Sequence, residues 1–260
     1  MEILKVDEIC KKYPEFELKN VSFKVESGQI MGFVGRNGAG KSTTIKAMLN
    51  MIHADSGSAE IIGMNVSENE TECKKNIGVV LGGINFYPKK KLFTIKNTVR
   101  SFYGNKWNEE KYLKYIKLFE IDDKKLKRAG LDYWHLVDVL STGMKIKFMI
   151  ALALSHGAKL LIFDEPTSGL DPVSRDDICN LFKSIVKSGE RAIFFSTHII
   201  SDIEKCATHV TYIHDGEIAE STSVENMLNK YSYMKEDGKP TLEDIIVSLE
   251  RTDYDNKIFD

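Results

Sequence analysis

Nine consecutive residues, Gly35-Arg36-Asn37-Gly38-Ala39-Gly40-Lys41-Ser42-Thr43, constrain this chain more than any other stretch. The apolar run Ile30 to Val34 leads into them, and an apolar-periodic stretch ending near Met51 leaves them, so the order is strand, glycine-rich turn, helix. Gly35, Gly38 and Gly40 allow positive φ and let the backbone turn its N–H groups toward an anion. A helix beginning near Ser42 adds the positive end of its dipole. Lys41 is then placed to reach the β- and γ-phosphates of a nucleotide, and the Ser42 hydroxyl to sit on Mg2+.

The remainder of the composition narrows the class of protein. With 260 residues and 42% apolar content the chain has room for one large domain or two small ones, each burying a core. Lysine and arginine number 36 against 38 acidic residues, and a net charge of −2 gives no bulk attraction to nucleic acid or to an anionic membrane surface. Cys10, Cys73, Cys179 and Cys206 form neither a close pair nor a metal spacing, so reduced thiols and a cytosolic location are expected. The first residues lack a basic n-region and an apolar h-region, so no secretory signal is expected. The most apolar stretch, Phe148 to Leu154, is far short of the roughly 20 residues that a membrane helix needs.

Taken in order, residues 1–81 read as a small antiparallel sheet beside a nucleotide-binding core. Its strands are expected at Ile3 to Ile9, Phe16 to Val25, Ala59 to Ile62 and Ile77 to Leu81. From about 84 to 156 the spacing becomes helical: Asn108 is a candidate N-cap, and Tyr112, Ile116 and Phe119 share one face. Lys89-Lys90-Lys91 reads as a solvated face. From Leu160 the strand–helix alternation returns, which implies a parallel sheet covered by helices on both faces. Asp171 before Pro172 fits a capped helix start. From about Ser221 the chain is polar apart from Leu242, Ile245, Ile246 and Leu249, and one or two helices capping the core are expected there.

The second chemical feature is Leu160 to Phe163 followed by Asp164 and Glu165, a buried strand that ends in two carboxylates. In a parallel sheet such carboxylates stand at the carboxyl edge, where ligands bind. Asp164 is suited to hold Mg2+ directly or through water, and Glu165 to orient or deprotonate a water attacking a γ-phosphate.

Together with Leu140-Ser141-Thr142-Gly143-Met144-Lys145, the run Asp164-Glu165-Pro166-Thr167-Ser168-Gly169-Leu170-Asp171, and Ser196-Thr197-His198, the chain resembles the ATP-binding-cassette ATPases over roughly residues 1–220. The resemblance implies an α/β fold: a P-loop NTPase core with an antiparallel β subdomain and an α-helical signature subdomain. The core and β subdomain would span 1–83 and 157–220, the helical subdomain 84–156, and a helical extension 221–260. It implies that two cassettes close head to tail around two ATP molecules with Mg2+. Each site would pair Gly35, Asn37, Gly38, Ala39, Gly40, Lys41, Ser42 and Thr43 of one subunit with Ser141, Thr142, Gly143 and Met144 of the other. Tyr13 corresponds to the aromatic that stacks on adenine, with Phe16 close enough to compete for that place. His198 would sense the γ-phosphate, and Asp171 would lie at the seam between subunits.

The chain also departs from the family pattern. Leu81-Gly82-Gly83-Ile84-Asn85 stands where a glutamine that contacts Mg2+ and water is usual, and Thr142 and Met144 replace a glycine and a glutamine in the signature. The form of the signature and the stretch Thr167 to Val173 resemble bacterial cassettes of the type-2 exporter subfamily. The expectation is the ATPase subunit of an exporter, peripheral on the cytoplasmic face of the membrane, docking a permease near residues 82–105. Alternatives are a cassette acting on ribosomes or DNA, against which the charge of −2 argues, and a regulatory cassette with little turnover, against which Glu165 argues.

Overall fold

In the computed structural model, residues 1–81, 89–121, 140–234 and 240–250 are described. The strand and helix expected on either side of the glycine-rich loop are both present. They are β3 (Ile30–Val34), with all five residues buried, and α1 (Lys41–Met48). β3 is central to a six-stranded sheet whose other members are β6 (Ile77–Val80), β7 (Leu160–Asp164), β8 (Ala192–Thr197), β9 (His209–His214) and β10 (Glu217–Ser223). The order is β10-β9-β3-β8-β7-β6, parallel throughout except for the antiparallel pairing of β10 with β9.

Alternate side chains of these strands feed two different cores, which explains why the strands read as unbroken apolar runs. On one face Leu161, Phe163, Ile193 and Phe195 pack under α5 (Thr142–Ser155), α6 (Pro172–Val186) and α7 (Ile200–Cys206). On the other, Leu160, Ile162, Phe33 and Phe194 meet α1 and a second sheet. That second sheet is antiparallel, in the order β2-β1-β4-β5, built from β1 (Glu2–Tyr13), β2 (Phe16–Glu26), β4 (Ser56–Ile61) and β5 (Met64–Asn65). Phe23, Phe33 and Phe194 stack across the seam with ring centroids 5.3–5.5 Å apart.

β6 differs from its sequence reading. It belongs to the parallel sheet and not to the antiparallel one, because the Asn76 carbonyl accepts from Lys159 N and Leu160 N and so sets β6 beside β7. β1 also runs past Ile9 to Tyr13, since bulges at Val6/Ile9 and Ile9/Lys11 break the alternation that marks a strand in sequence. β10 continues through residue 220, pairing Ser221, Thr222 and Ser223 with Thr211, Val210 and His209.

The helical insert holds α3 (Leu92–Tyr103), α4 (Glu109–Leu118) and α5, preceded by the exposed Lys89, Lys90 and Lys91; the short α2 (Glu70–Lys74) lies before β6. Asn108 caps α4, its Oδ1 accepting from Lys111 N at 2.8 Å, and Tyr112, Ile116 and Phe119 are buried as the spacing predicts. After β10 come α8 (Val224–Lys230) and α9 (Leu242–Glu250). Leu242, Ile245 and Ile246 bury α9 in the same core as α6 and α7. All four cysteines are free, with Cys73, Cys179 and Cys206 buried and Cys10 half-buried. No helix among the described residues is long and apolar enough to cross a membrane.

Candidate nucleotide site

The loop after β3 obtains its shape from two positive-φ glycines and one crowded one. Gly38 and Gly40 lie at φ +87° and +110°, in the left-handed region that a side chain would strain. Gly35 does not share that conformation. It is required for space: a Cβ there would come within 2.4 Å of the Ile213 carbonyl oxygen. Lys41 opens α1 with its ammonium folded back on the loop, donating to the Gly35 carbonyl at 2.7 Å and the Arg36 carbonyl at 3.1 Å. Its Nζ also lies 3.7 Å from Glu165 Oε1. Burial lowers the affinity of Lys41 for its proton, and the nearby Glu165 and Asp164 charges oppose that shift.

β7 delivers its two carboxylates at the carboxyl edge of the parallel sheet. Asp164 is buried; its Oδ2 accepts from Ser42 Oγ at 2.9 Å and its Oδ1 from Ser196 Oγ at 2.5 Å. Ser196 is paired with Asp164 in the β7–β8 register, and its hydroxyl also accepts from Glu165 N at 3.1 Å. Glu165 itself sits at φ +53°, an uncommon conformation for a non-glycine residue and one that turns its side chain off the strand. Glu165 Oε2 then lies 2.7 Å from His198 Nδ1, so Lys41, Glu165 and His198 form a continuous polar chain.

These groups line one cleft of about 760 Å³ with Glu15, Phe16, Asn37, Gly38, Gly40, Ser42, Thr43 and Ser168. Phe16 stands at its wall, against the place where a side chain on Gly40 would be, whereas Tyr13 is 40% exposed with Lys11 Nζ 5.8 Å from its ring. Of the two aromatics left open by sequence, the cleft contains Phe16. Ala39 is buried behind the loop and donates its N–H to Arg36 O.

Ser141, Thr142, Gly143 and Met144 are elsewhere. Ser141 is the N-cap of α5, its Oγ accepting from Met144 N at 3.2 Å, and none of the four lines the cleft. Asp171 caps α6, accepting from Val173 N, Ser174 N and Ser174 Oγ at 3.0, 3.1 and 2.6 Å, which holds its carboxyl below the usual carboxylate range. One turn on, Arg175 reaches the fully buried Asp202 of α7 at 2.6 Å, and so ties the helix that begins at Asp171 to the helix that follows His198. The expected departure at Gly82, Gly83 and Asn85 lies outside the described residues.

Sequence reasoning did not single out Ser196 or Arg36 as contributors to the site. Ser196 is detectable once β7 and β8 are aligned in parallel, because the register sets it beside Asp164.

A loop-to-helix anion cradle, paired carboxylates at the sheet edge and an added antiparallel sheet define a nucleotide-binding ATPase of the phosphate-loop class. Comparison with known proteins then fixes the family. Residues 18–168 match the family described as ABC transporter. The bacitracin transport ATP-binding protein BcrA of Bacillus licheniformis is 35% identical over 233 residues, covering 86% of this chain and 71% of that one. Two solved structures share the fold. The ATP-binding subunit of an ABC transporter has a TM-score of 0.81 at 24% identity, over 96% of this chain and 100% of that chain. An ATP-binding cassette in a dimeric post-hydrolysis state with ADP and Pi has a TM-score of 0.70 at 22% identity, over 85% of this chain and 98% of that chain. This chain belongs to the ABC transporter family: it is a transporter ATP-binding subunit that binds and hydrolyses ATP.

Proposed function

We propose that this chain powers a bacterial exporter as one of two cassettes that close head to tail on two ATP molecules with Mg2+. The observation that carries this reading is the incompleteness of the cleft. It presents Lys41, Ser42, Glu165 and His198 toward one side of a nucleotide, while Ser141 and the start of α5 face elsewhere. A second copy or a related cassette supplies the missing wall, with the N-terminus of α5 acting as a second helix-end anion site. Phe16 or Tyr13 provides the adenine platform, Asp171 lies at the seam, and His198 reads the γ-phosphate.

The donor set suits a divalent cation. Ser42 Oγ, in the cleft lining, and the Oδ2 of the buried Asp164 behind it are hard oxygens 2.9 Å apart, and Mg2+ prefers one or two such protein donors with phosphate oxygens completing its shell. Among the described residues no cluster of three or more His, Cys, Asp or Glu forms an all-protein metal cage. When bound, the cation neutralises phosphate charge; Glu165 orients and deprotonates water, and Lys41 leaves its carbonyl partners for the phosphates.

We assign residues 1–220 to the cassette, with the core at 1–83 and 157–220, the helical subdomain at 84–156, and an extension at 221–260. The permease seats in an apolar groove of about 420 Å³ between core and helical insert, lined by Leu49, Met51, Leu81, Phe102, Tyr103 and Met149. Met51 and Phe102 are half or more exposed there, as suits a surface that another chain covers. On this reading the subunit works on the cytoplasmic face of the membrane without a nucleic-acid partner, and the relative named for bacitracin transport favours export of a peptide-like compound. The test is to isolate the tagged chain from detergent-solubilised membranes. A co-purifying multi-span protein that is lost on Phe102→Glu is expected, and recovery of ribosomal proteins or DNA instead would overturn the reading.

A further inference from the structure

A carboxylate from the far end of the chain reaches the phosphate loop. Glu250 closes α9, the last described helix, and lies 214 positions beyond Arg36 in the loop. Its side chain is only 13% exposed. Oε1 accepts from the Tyr212 hydroxyl at 2.6 Å, and burial together with this carboxylate keeps that phenol protonated and donating. Oε2 is buried and, among the described residues, accepts no hydrogen bond, although Arg36 Nε stands 3.7 Å away and His214 Nδ1 3.6 Å away. A second carboxylate, Asp215, lies on the outer side of His214, 3.4 Å from its Nε2.

A half-satisfied carboxylate at a buried position is costly, so its presence calls for an explanation. The apolar side of α9 cannot supply one, because Leu242, Ile245 and Ile246 anchor the helix without Glu250. What Glu250 does contact is the end of β9 and the one cation of the loop besides Lys41. Arg36 is 70% exposed, and an exposed ion pair adds little stability of its own. Its consequence is electrostatic: a carboxylate stands beside the Arg36 guanidinium and beside a loop whose proposed ligand is a polyanion.

We infer that Glu250 is a positioning residue that restrains Arg36, so that the C-terminal helix weakens nucleotide binding at the phosphate loop and tunes it from outside the cassette motifs. The inference rests on the reading of Gly35 to Thr43 as the ATP phosphate site. Releasing the latch adds a free cation near the phosphates and removes an anion, so binding tightens. A merely structural role predicts the opposite, since loss of a packing contact loosens the loop.

The experiment is MgATP binding to the full chain, by calorimetry, for the wild type and for Glu250→Gln, Arg36→Ala, the double variant and Lys41→Ala. Glu250→Gln should tighten binding by about three- to tenfold, the size expected from one charge at this range. In the Arg36→Ala background the same change should have less than about half that effect on the logarithmic scale. Glu250→Ala, which removes the same charge with a smaller side chain, should shift affinity in the same direction and serves if the glutamine variant folds poorly. Unchanged or weaker binding in both Glu250→Gln and Glu250→Ala, or equal tightening without Arg36, would overturn the inference. Lys41→Ala separates the two levels: if it leaves affinity intact, the reading of the loop fails; if it weakens binding while Glu250→Gln is silent, only the latch fails.

Discussion

Lys41, Glu165 and His198 are linked side chain to side chain at the carboxyl edge of the parallel sheet. The buried Lys41 ammonium is partly neutralised by Glu165 at 3.7 Å and donates to two loop carbonyls, while the outer Glu165 oxygen meets His198 at 2.7 Å. If Glu165 is the base, as proposed, Glu165→Gln removes it together with the negative charge beside Lys41. It should therefore lower ATP turnover by about a hundredfold or more while MgATP affinity is kept or improved. Steady-state phosphate release and calorimetry measure the two separately, and hydrolysis close to the wild-type rate would remove Glu165 from its role. The loop, both carboxylates and the histidine were legible in sequence because each is a short local pattern. The latch between Arg36 and Glu250 was not, because nothing within either neighbourhood announces the other.

Among the elements, α5 packs on β6 where helical insert meets core, with Ala153 against Gly78, and His156 marks the end of α5. Its ring stacks on Tyr103 of α3 with centroids 3.6 Å apart and planes 3° from parallel, and its Nδ1 is buried without a hydrogen bond. Burial pushes its pKa down to about 4 from the ordinary 6.5. The folded state therefore keeps His156 neutral where the unfolded chain takes up a proton. The associated stability is complete above pH 6.5 and is lost as pH falls toward 4. Between pH 7 and pH 5 this one group should cost about 2 kcal/mol, and His156→Phe, which preserves the stack, should flatten that part of the profile in urea titrations. Identical pH profiles for the two proteins would refute it. Element boundaries were readable where one pattern ruled, as in α4 behind Asn108 or α6 behind Asp171. The sheet that takes β6 was not readable, since Ile77 to Val80 are apolar enough for either sheet and the decision falls to the sequence-distant Lys159 and Leu160, whose N–H groups donate to the Asn76 carbonyl. The extent of β1 was hidden by its bulges for a similar reason.

For the whole molecule, the decisive fact is that the phosphate loop and the capped start of α5 belong to one chain but not to one cleft. If each working site joins the loop of one subunit to Ser141 of the other, damage to the two halves is separable between subunits. Lys41→Ala disables the loop, and Ser141→Arg places a bulky cation where the α5 N-terminus must meet phosphate. Each variant alone should be inactive as a homodimer, because every site contains one damaged half. In a mixture, the dimer with one copy of each has one site in which both faults coincide and one with neither, so an equal mixture should regain up to about a quarter of the wild-type sites. Phosphate release from co-refolded or co-expressed mixtures reports this directly. The ATPase should rise above either parent and depend on the mixing ratio, with a maximum near equal amounts. A site complete within one chain predicts mixtures that are no more active than the parents, because no exchange of partners could then repair either fault.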